Sequence, residues 1–482
     1  MNNFETLQPA AIWKHFLSLT QITRPSGQKK QIGDFLVAYG KELGLETLQD
    51  NIGNVLIRKP ASPGLENHPG VILQGHMDMV PQKNNDIDFD FTTDPIRACV
   101  DGEWVTAQGT TLGADNGIGV ATAMAVLEDK SLVHPPLEVL VTVDEETGMY
   151  GAFDLQPAWL QGKILLNLDS EAEGELYVGC AGGVDTTVTF GYFPVPVPEG
   201  DTALRITLTG LKGGHSGCDI NLQRANANKL MFRFLKKAVA EYDARIASVQ
   251  GGTLRNAIPR EAEAILTVPK DGVDDIINLV EDYEDLFIRE YDGVENDIRF
   301  YAEPTECPPQ LIPEEIQDAI IHSVNACPDG VYRMIPEMPD VVETSNNLAM
   351  IATSDKQVVI SCLTRSSVES RKEEVQEIIG SCFALAGAKV VFSGSYPGWK
   401  PNLHSNILRL MQETYYQEFK QNPRIITIHA GLECGIIGRN YPDMDMISFG
   451  PTIKHPHSPE EKVNIGSVGK FYRFLIATLR KL

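Results

Sequence analysis

Cysteine is scarce and scattered in this sequence of 482 residues. The eight cysteines form no CxxC pair and no dense cluster, so we expect neither the disulfide framework of a secreted domain nor a cysteine-bound zinc site. Long apolar runs are missing too, and without about 18 consecutive apolar residues a membrane span is not expected. The first residues lack a basic flank followed by an apolar run, which predicts no signal peptide and a cytoplasmic protein with reduced thiols.

Basic residues are outnumbered by acidic ones. Lys plus Arg number 41 against 65 Asp plus Glu, which gives a net charge of −24 at pH 7. A phosphate surface would repel such a chain, so nucleic acid and anionic membrane are not expected as partners. The 43% hydrophobic and 22% charged content is typical of a globular protein and excludes disorder, coiled coil and collagen. At roughly 100–200 residues per domain, the length predicts two or three domains.

The first part of the chain has the pattern of an α/β layer. Apolar, strand-like runs occur at residues 54–57, 70–74, 137–143 and 163–168, and an Ala-rich apolar stretch after Asp115 predicts a helix. Strands that alternate with helices predict a largely parallel or mixed sheet.

The pattern changes near residue 185. Residues 186–305 predict strand, helix, two strands, helix and strand, and residues 311–395 predict the later part of that order again. The polar segments 253–258 and 344–349 each precede a strand–helix unit, a weak echo that indicates a duplication. From Pro401 onward the α/β pattern returns. We therefore predict a discontinuous domain, 1–185 plus 397–482, interrupted by an inserted α+β domain at 186–396.

Acidic and imidazole side chains stand at the ends of apolar strands or beside glycines. They are His76 and Asp78 in GHMDMV, Asp115 in GADNG, the pair Glu145 and Glu146, Asp169, and His457 in HSPE. Strand ends are where α/β sheets place ligand sites. Carboxylate and imidazole without thiolate favour a hydrolytic zinc, cobalt or manganese site.

Each of these segments also has a structural interpretation. A His-x-Asp can be a hydrogen-bonded pair, two adjacent glutamates can be a solvated turn, Asp115 can be a helix N-cap, and His457 can lie in a surface turn. Because they occur together in one order, with apolar strands leading into three of them, we favour the functional interpretation.

The chemistry of a metal site explains the spacing. Residues i and i+2 of an extended segment face the same side, so His76 can bind a metal while Asp78 holds its other ring nitrogen. Glu145 and Glu146 diverge, so one can serve as a base and the other as a ligand. Asp115 could bridge two cations, which at roughly 3.5–4 Å apart can share a hydroxide and stabilise an oxyanion.

The motifs GHMDMV, LGADNGIG, DEETG, NLDSE and HSPEE resemble, as a set, the co-catalytic zinc metallopeptidase family that includes carnosinases, glutamate carboxypeptidases and acetylornithine deacetylase. The resemblance covers essentially all 482 residues and is strongest to the dipeptidases of that family. It implies a zinc-exopeptidase-type mixed sheet flanked by helices, with an inserted lid of ferredoxin-like units, single or duplicated. The implied activity is hydrolysis of unblocked dipeptides, Xaa-His and β-Ala-His included. An N-acyl-amino-acid amidohydrolase with the same metals, and a non-catalytic binding module, stay as alternatives.

The resemblance also implies roles for the site residues. One metal would be bound by His76, Asp115 and Asp169, and the other by Asp115, Glu146 and His457. Asp78 would orient His76. Glu145 would be the general base that takes a proton from the metal-bridging water. The implied cofactors are two divalent ions, zinc first, with cobalt or manganese as alternatives. Family members often have a cis peptide after the bridging aspartate, which here is the bond from Asp115 to Asn116.

Four further residues match one catalytic position and three substrate-binding positions of the family. His215 in GGHSG resembles the lid histidine that donates to the oxyanion, Asn256 in RNAIP a substrate-binding asparagine, and Arg365 in LTRS an arginine that grips a free α-carboxylate. Gly431 in HAGLECG matches a loop that lines the pocket. The alternatives are a turn histidine, an Asx-turn asparagine, a surface arginine and a glycine that only shapes a turn. Because a duplicated lid would complete the site within one chain, a homodimer through another surface stays open.

Overall fold

The structure is a computed structural model that describes residues 4–354 and 356–482. The described residues form eleven α-helices: α1 Ala10–Thr20, α2 Lys30–Glu42, α3 Ala114–Glu128, α4 Tyr150–Phe153, α5 Ala227–Tyr242, α6 Val273–Glu290, α7 Glu314–Ala326, α8 Glu369–Leu385, α9 Asn406–Phe419, α10 Glu433–Asn440 and α11 Ile465–Leu479. None of them is long and apolar enough to cross a membrane.

The strands divide along the chain into an N-terminal, a middle and a C-terminal group. The first group is β1 Glu46–Gln49, β2 Val55–Lys59, β3 Val71–His76, β4 Ala98–Asp101, β5 Trp104–Ala107, β6 Leu137–Thr142, β7 Ile164–Asn167 and β8 Glu175–Cys180. The middle group is β9 Gly182–Gly191, β10 Val195–Pro196, β11 Asp201–Thr209, β12 Gly214–His215, β13 Arg245–Gly251, β14 Ala257–Ile258, β15 Ala262–Pro269, β16 Arg299–Pro304, β17 Gln310–Leu311, β18 Gly330–Ile335, β19 Met338–Ser354, β20 Gln357–Ser366 and β21 Lys389–Tyr396. The last group is β22 Arg424–Ile428, β23 Asp445–Ser448, β24 Ile453–Lys454 and β25 Lys462–Asn464.

The chain forms two compact units. The first unit is Met1–Gly179, Pro401–Thr427 and Leu432–Leu482, and the second is Cys180–Lys400 with Ile428–Gly431. Strand β9 therefore belongs to the second unit, as does a short piece of the loop between β22 and α10. Each unit has its own apolar core.

The first unit is organised by a mixed sheet with the strand order β1-β2-β6-β3-β7-β23-β8-β22. Its centre is parallel, since β3 pairs in parallel with both β6 and β7, and β23 pairs in parallel with β7. Every residue of β3 and β6 is buried, and most residues of both strands are apolar, as expected for parallel strands covered on both faces. The predicted mixed α/β fold is confirmed.

The second unit contains two halves with the same strand arrangement. Its main sheet has the order β16-β11-β15-β13-β19-β20-β9-β21. The half built from β11, α5, β13, β15, α6 and β16 has the βαββαβ order of a ferredoxin-like unit. In the other half β9 takes the place of the first strand, followed by α7, β19, β20, α8 and β21. The two polar segments that suggested the repeat differ in structure, because 253–258 lies largely in a turn whereas 344–349 is buried within β19.

Candidate active site

Three neighbouring parallel strands bring the first group of predicted residues to one edge of the sheet. His76 is the last residue of β3 and lies opposite Thr142, the last residue of β6. Glu145 and Glu146 come a few residues after the end of β6. Asp169 comes two residues after the end of β7, whose last residue lies opposite Gln74. Because parallel strands share a direction, their carboxyl ends meet at the same edge.

Asp115 lies between the two predicted histidines. Its Oδ1 is 3.1 Å from Nε2 of His76, and its Oδ2 is 3.2 Å from Nε2 of His457. Asp169 Oδ1 lies 3.2 Å from the same nitrogen of His76, and Glu146 Oε2 lies 2.9 Å from Nε2 of His457. The five side chains therefore form two sets of three that share Asp115. The peptide bond from Asp115 to Asn116 is cis, as expected.

The charges in this cluster favour the ionised forms of His76, His457 and Asp115, whereas burial disfavours that of Asp169. Burial opposes protonation of His76, but the bonds and charges of the adjacent carboxylates outweigh it and raise its pKa well above the usual range. Hydrogen bonds to Asp115 and Glu146 raise the pKa of His457 to about 11. For Asp115 the two histidines outweigh burial and lower the pKa. Burial raises the pKa of Asp169 to about 6.

The cluster has the donor set and the spacing that divalent metals require. Ligand atoms of His76, Asp115 and Glu146 all lie within 4.8 Å of one another. Two ligands of a tetrahedral zinc with bonds of roughly 2.0–2.1 Å lie roughly 3.3 Å apart, close to the spacings within each set. Oε1 of Glu146 is buried and accepts no hydrogen bond from any described residue. These residues fit a pair of divalent cations.

Asp78 connects the His76 strand to the loop that carries the two glutamates. Its Oδ1 lies 3.5 Å from Nδ1 of His76 and accepts a 3.0 Å hydrogen bond from the backbone N–H of Glu145. Its Oδ2 accepts from the Ser26 hydroxyl at 2.8 Å. The backbone oxygen of Asp78 is nearer to the imidazole, 3.1 Å from Nδ1, so both backbone and side chain of Asp78 are placed to orient His76.

Glu145 is a carboxyl group in a buried, acidic environment. Burial is the main cause that raises its pKa well above the usual range, and neighbouring carboxylates add to it. The preceding residue, Asp144, has a φ of 52°, an uncommon conformation for a residue other than glycine. Asp144 is held there by the backbone N–H of Gly27 at 2.7 Å and the Lys29 ammonium at 3.2 Å. These contacts fix the start of the loop that carries Glu145.

In the second unit, the backbone fixes the tautomer of His215. Nδ1 of its ring accepts hydrogen bonds from the backbone N–H groups of Gly217 and Cys218, each at 3.1 Å. Burial and the charge of Arg365 lower the pKa of His215, so the ring is neutral at pH 7. A neutral ring that accepts at Nδ1 carries its proton on Nε2, which is therefore a hydrogen-bond donor.

Arg365 is a buried cation without a carboxylate partner among the described residues. It is 5% exposed, and its guanidinium donates to the Tyr396 hydroxyl at 3.0 Å and to the Ser216 hydroxyl at 3.4 Å. Burial and the charge of Arg365 lower the pKa of nearby His429 to about 3, so that ring is neutral as well. A buried guanidinium whose described hydrogen-bond partners are neutral hydroxyls is available to bind an anion.

Asn256 and Gly431 also lie in the second unit. The backbone oxygen of Asn256 accepts from the N–H of Ser216 at 2.8 Å, and β12 and β14 pair His215 with Ala257. The structure thus brings Asn256, His215 and Arg365 together around Ser216. The side chain of Asn256 is exposed. Gly431 lies between β22 and α10, and the roles of Asn256 and Gly431 stay predictions.

A buried polar chain beneath the strand ends was not predicted from the sequence. Thr142, Gln74, Asn167 and Ser448 lie on the adjacent strands β6, β3, β7 and β23, and hydrogen bonds join Gln74 to Asn167 at 2.6 Å and Asn167 to Ser448 at 2.5 Å. Glu433 ends the chain by accepting from Gln74 at 2.6 Å and Thr142 at 2.8 Å, and burial raises its pKa to about 8. The sequence did offer one signal for this chain. Gln74 lies two positions before His76, and Asn167 lies two positions before Asp169, each in a mostly apolar strand.

Carboxylates and histidines that meet at one edge of a mixed α/β sheet are the donor set of a dinuclear metallohydrolase. The chain matches the model of Peptidase family M20/M25/M40 over residues 72–481. It belongs to that family, which confirms the predicted resemblance.

Two relatives at close to half identity match the chain over nearly its whole length. It is 47% identical to the cytosol non-specific dipeptidase of Escherichia coli over 482 residues, which is 100% of this chain and 99% of that protein. The crystal structure of aminoacylhistidine dipeptidase from Vibrio alginolyticus has a TM-score of 0.95 at 48% identity, with 99% of this chain and 98% of that chain covered. The aminopeptidase PepT of Bacillus cereus is 15% identical with a TM-score of 0.58, over 98% and 99% of the two chains, and shares the fold.

Proposed function

We propose that this protein hydrolyses unblocked dipeptides, Xaa-His dipeptides among them, with two divalent metal ions bound by the cluster around Asp115. The observation that carries the proposal is the position of Asp115, whose two carboxylate oxygens face two different histidines. The dipeptide substrate is supported by the two relatives at 47% and 48% identity, which are named as dipeptidases. The name of the E. coli relative also supports a cytoplasmic location.

The metals would be held by His76, Asp115 and Asp169 on one side and by Asp115, Glu146 and His457 on the other. Bound there, divalent ions supply Lewis acidity and lower the pKa of water. Zinc is the first candidate, and cobalt and manganese suit the same oxygen and nitrogen ligands.

The side chains of the protein supply the proton transfers and the orientation. Glu145 takes a proton from the attacking water and delivers it to the nitrogen of the leaving amine. Nε2–H of His215 donates to the carbonyl oxygen as negative charge develops there. Asp78 holds His76 in its orientation.

Recognition of the substrate's carboxyl end falls to Arg365, with Asn256 beside it in the second unit. A guanidinium binds a carboxylate through two parallel hydrogen bonds, and Arg365 has no carboxylate partner of its own among the described residues. A free α-carboxylate is present in a dipeptide and also in an N-acyl-amino acid. The arginine therefore supports both the proposed activity and its alternative, the amidohydrolase.

One experiment separates the two activities. The protein is stripped with a chelator, restored separately with zinc, cobalt or manganese, and assayed on β-Ala-His, Leu-His, Leu-Leu, Gly-Gly-Gly and N-acetyl-ornithine. The proposal predicts metal-dependent cleavage of the dipeptides, with the tripeptide and the acetylated substrate intact. Preference for N-acetyl-ornithine would establish the amidohydrolase, and no cleavage with any metal would overturn both.

A further inference from the structure

A buried arginine and a buried glutamate form hydrogen bonds with the backbone turn that presents Asp115. The turn is Leu112–Asp115, at the start of α3. Glu461 binds its N–H groups and Arg24 binds one of its carbonyl oxygens. Neither residue is among the ligands, the base or the substrate-binding residues assigned above.

Glu461 uses both carboxylate oxygens on four consecutive backbone amides. Oε2 accepts from the N–H groups of Leu112 and Gly113 at 2.8 and 2.9 Å. Oε1 accepts from those of Ala114 and Asp115 at 2.7 and 3.2 Å. The first N–H groups of a helix have no partner within the helix and attract negative charge. The buried carboxylate of Glu461 satisfies them and fixes the turn.

Arg24 holds the other side of the same turn. Its Nη2 donates to the carbonyl oxygen of Gly113, and its Nη1 donates to those of Met77 and Asp78 at 3.1 and 3.2 Å. Arg24 is 3% exposed. Since Met77 and Asp78 directly follow His76, one guanidinium ties the His76 segment to the Asp115 turn.

Two glycines leave the space that Arg24 needs. Gly113 has a φ of +69°, and a Cβ there would lie 2.5 Å from Nη2 of Arg24 and 2.8 Å from Sδ of Met79. A Cβ on Gly117 would lie 2.6 Å from the same Nη2. A side chain at either glycine would displace Arg24, which explains why both positions are glycine.

We propose that Arg24 and Glu461 are positioning residues, which set the Asp115 carboxylate between His76 and His457 so that it can bind two metals at once. The inference rests on the proposed metal-dependent function. Both residues act through backbone groups, and among the described residues neither forms a hydrogen bond with a ligand side chain. Loss of groups that orient a ligand typically weakens metal binding about 10- to 100-fold.

The test compares isosteric variants with matched controls on the full-length protein. Glu461→Gln keeps the size of the side chain but turns an NH₂ group toward backbone N–H donors. Arg24→Lys keeps the charge but cannot reach three carbonyl oxygens. Glu460→Gln, the same change at the exposed adjacent residue, and Arg97→Lys, at an exposed arginine, are the controls.

Metal binding is measured without substrate, by competition of zinc against a chromophoric chelator and by the visible absorption of the cobalt protein. We expect Glu461→Gln and Arg24→Lys to weaken binding of at least one ion about 10- to 100-fold and to change the cobalt spectrum. The controls should match the wild type. Excess zinc should restore part of the kcat that the two variants lose. Their KM for the dipeptide should change by a smaller factor than their affinity for zinc.

Thermal unfolding of the metal-free proteins separates positioning from plain stability. If both variants unfold earlier but bind zinc and cobalt as the wild type does, the residues are structural and the proposal is overturned. If Glu461→Gln does not fold, the proposal is tested with Arg24→Lys and Gly117→Ala instead. The methyl group that Gly117→Ala adds would displace Nη2 of Arg24 without removing the arginine. Wild-type affinity in both of these would also overturn the proposal.

Failure of the proposed function gives a different result. A wild type that binds two metals but cleaves no dipeptide would refute the substrate, whereas weaker metal binding in the variants would still support the positioning role. A wild type that binds no metal would overturn both.

Discussion

Replacement of Arg365 by methionine tests how the protein recognises a free carboxyl terminus. Methionine keeps much of the length and the apolar part of the side chain but removes the guanidinium. Arg365 is buried, and its described partners are the neutral hydroxyls of Tyr396 and Ser216. A substrate carboxylate bound there would exchange hydration for two charge-assisted hydrogen bonds in a poorly hydrated site.

The expected loss of activity in Arg365→Met follows from the burial of this arginine. Truncating one partner of a buried, hydrogen-bonded charge pair costs about 2–5 kcal/mol, which corresponds to about 30- to 5000-fold in kcat/KM. Because the carboxylate is bound equally in the ground state and the transition state, most of the loss should be in KM.

The assay is a cycle of two enzymes and two substrates. Steady-state kinetics are measured for wild type and Arg365→Met on Leu-His and on its C-terminal amide, Leu-His-NH₂. On the free acid, kcat/KM of the variant should be far below that of the wild type. On the amide, the two enzymes should have similar kcat/KM, because the amide has no carboxylate for Arg365 to bind. The control is Arg233→Met, which removes an arginine that already pairs with Glu290. An equal loss on both substrates would refute carboxylate recognition by Arg365.

Four other measurements test the remaining assignments. Changing His215 to alanine should lower kcat roughly 10²- to 10³-fold with metal content intact, and full turnover would remove it from the mechanism. Glu145→Gln should lower kcat about 10²- to 10⁴-fold while elemental analysis still finds two metals, whereas Glu146→Gln should lose metal; the opposite pattern would exchange their roles. Chelation should abolish dipeptide cleavage, and zinc, cobalt or manganese should restore it; activity that survives chelation contradicts the metal site. Burial raises the pKa of Asp329 to about 6 from 3.8, so folding favours its protonated form and stability is lost as the pH rises between these values. Asp329→Asn, followed by urea unfolding at pH 4 and pH 8, should therefore gain about 2 kcal/mol relative to wild type across that interval, and a constant difference would show that the carboxyl does not titrate.

The positions of the first-unit residues followed from local patterns. His76 ends the largely apolar strand β3, Glu145 and Glu146 come shortly after β6, and Asp169 comes shortly after β7. Their place near strand ends was therefore predictable. The resemblance supplied roles that spacing alone left open, such as the shared use of Asp115. The match to the peptidase family confirms the family, and the ligand roles await the measurements above.

The second unit was predictable in outline only. The order of helices and strands indicated a repeat, but β9 completes the second ferredoxin-like half although it precedes the first half in the chain. A local sequence pattern cannot predict that β9 pairs with strands of the other half, because strand pairing depends on residues that are distant in the sequence.

The sequence by itself determined the fold class, the family and the list of chemically reactive residues, since these depend on periodicity and short motifs. Only the tertiary structure decided that Arg365 is a buried cation without a carboxylate partner among the described residues, that backbone N–H groups fix the tautomer of His215, and that Glu433 is a buried acid. The same is true of Arg24 and Glu461, whose partners are backbone groups 53 to 349 positions away along the chain. Backbone donors and acceptors are identical at every residue, so a side chain that binds them leaves no pattern in the sequence.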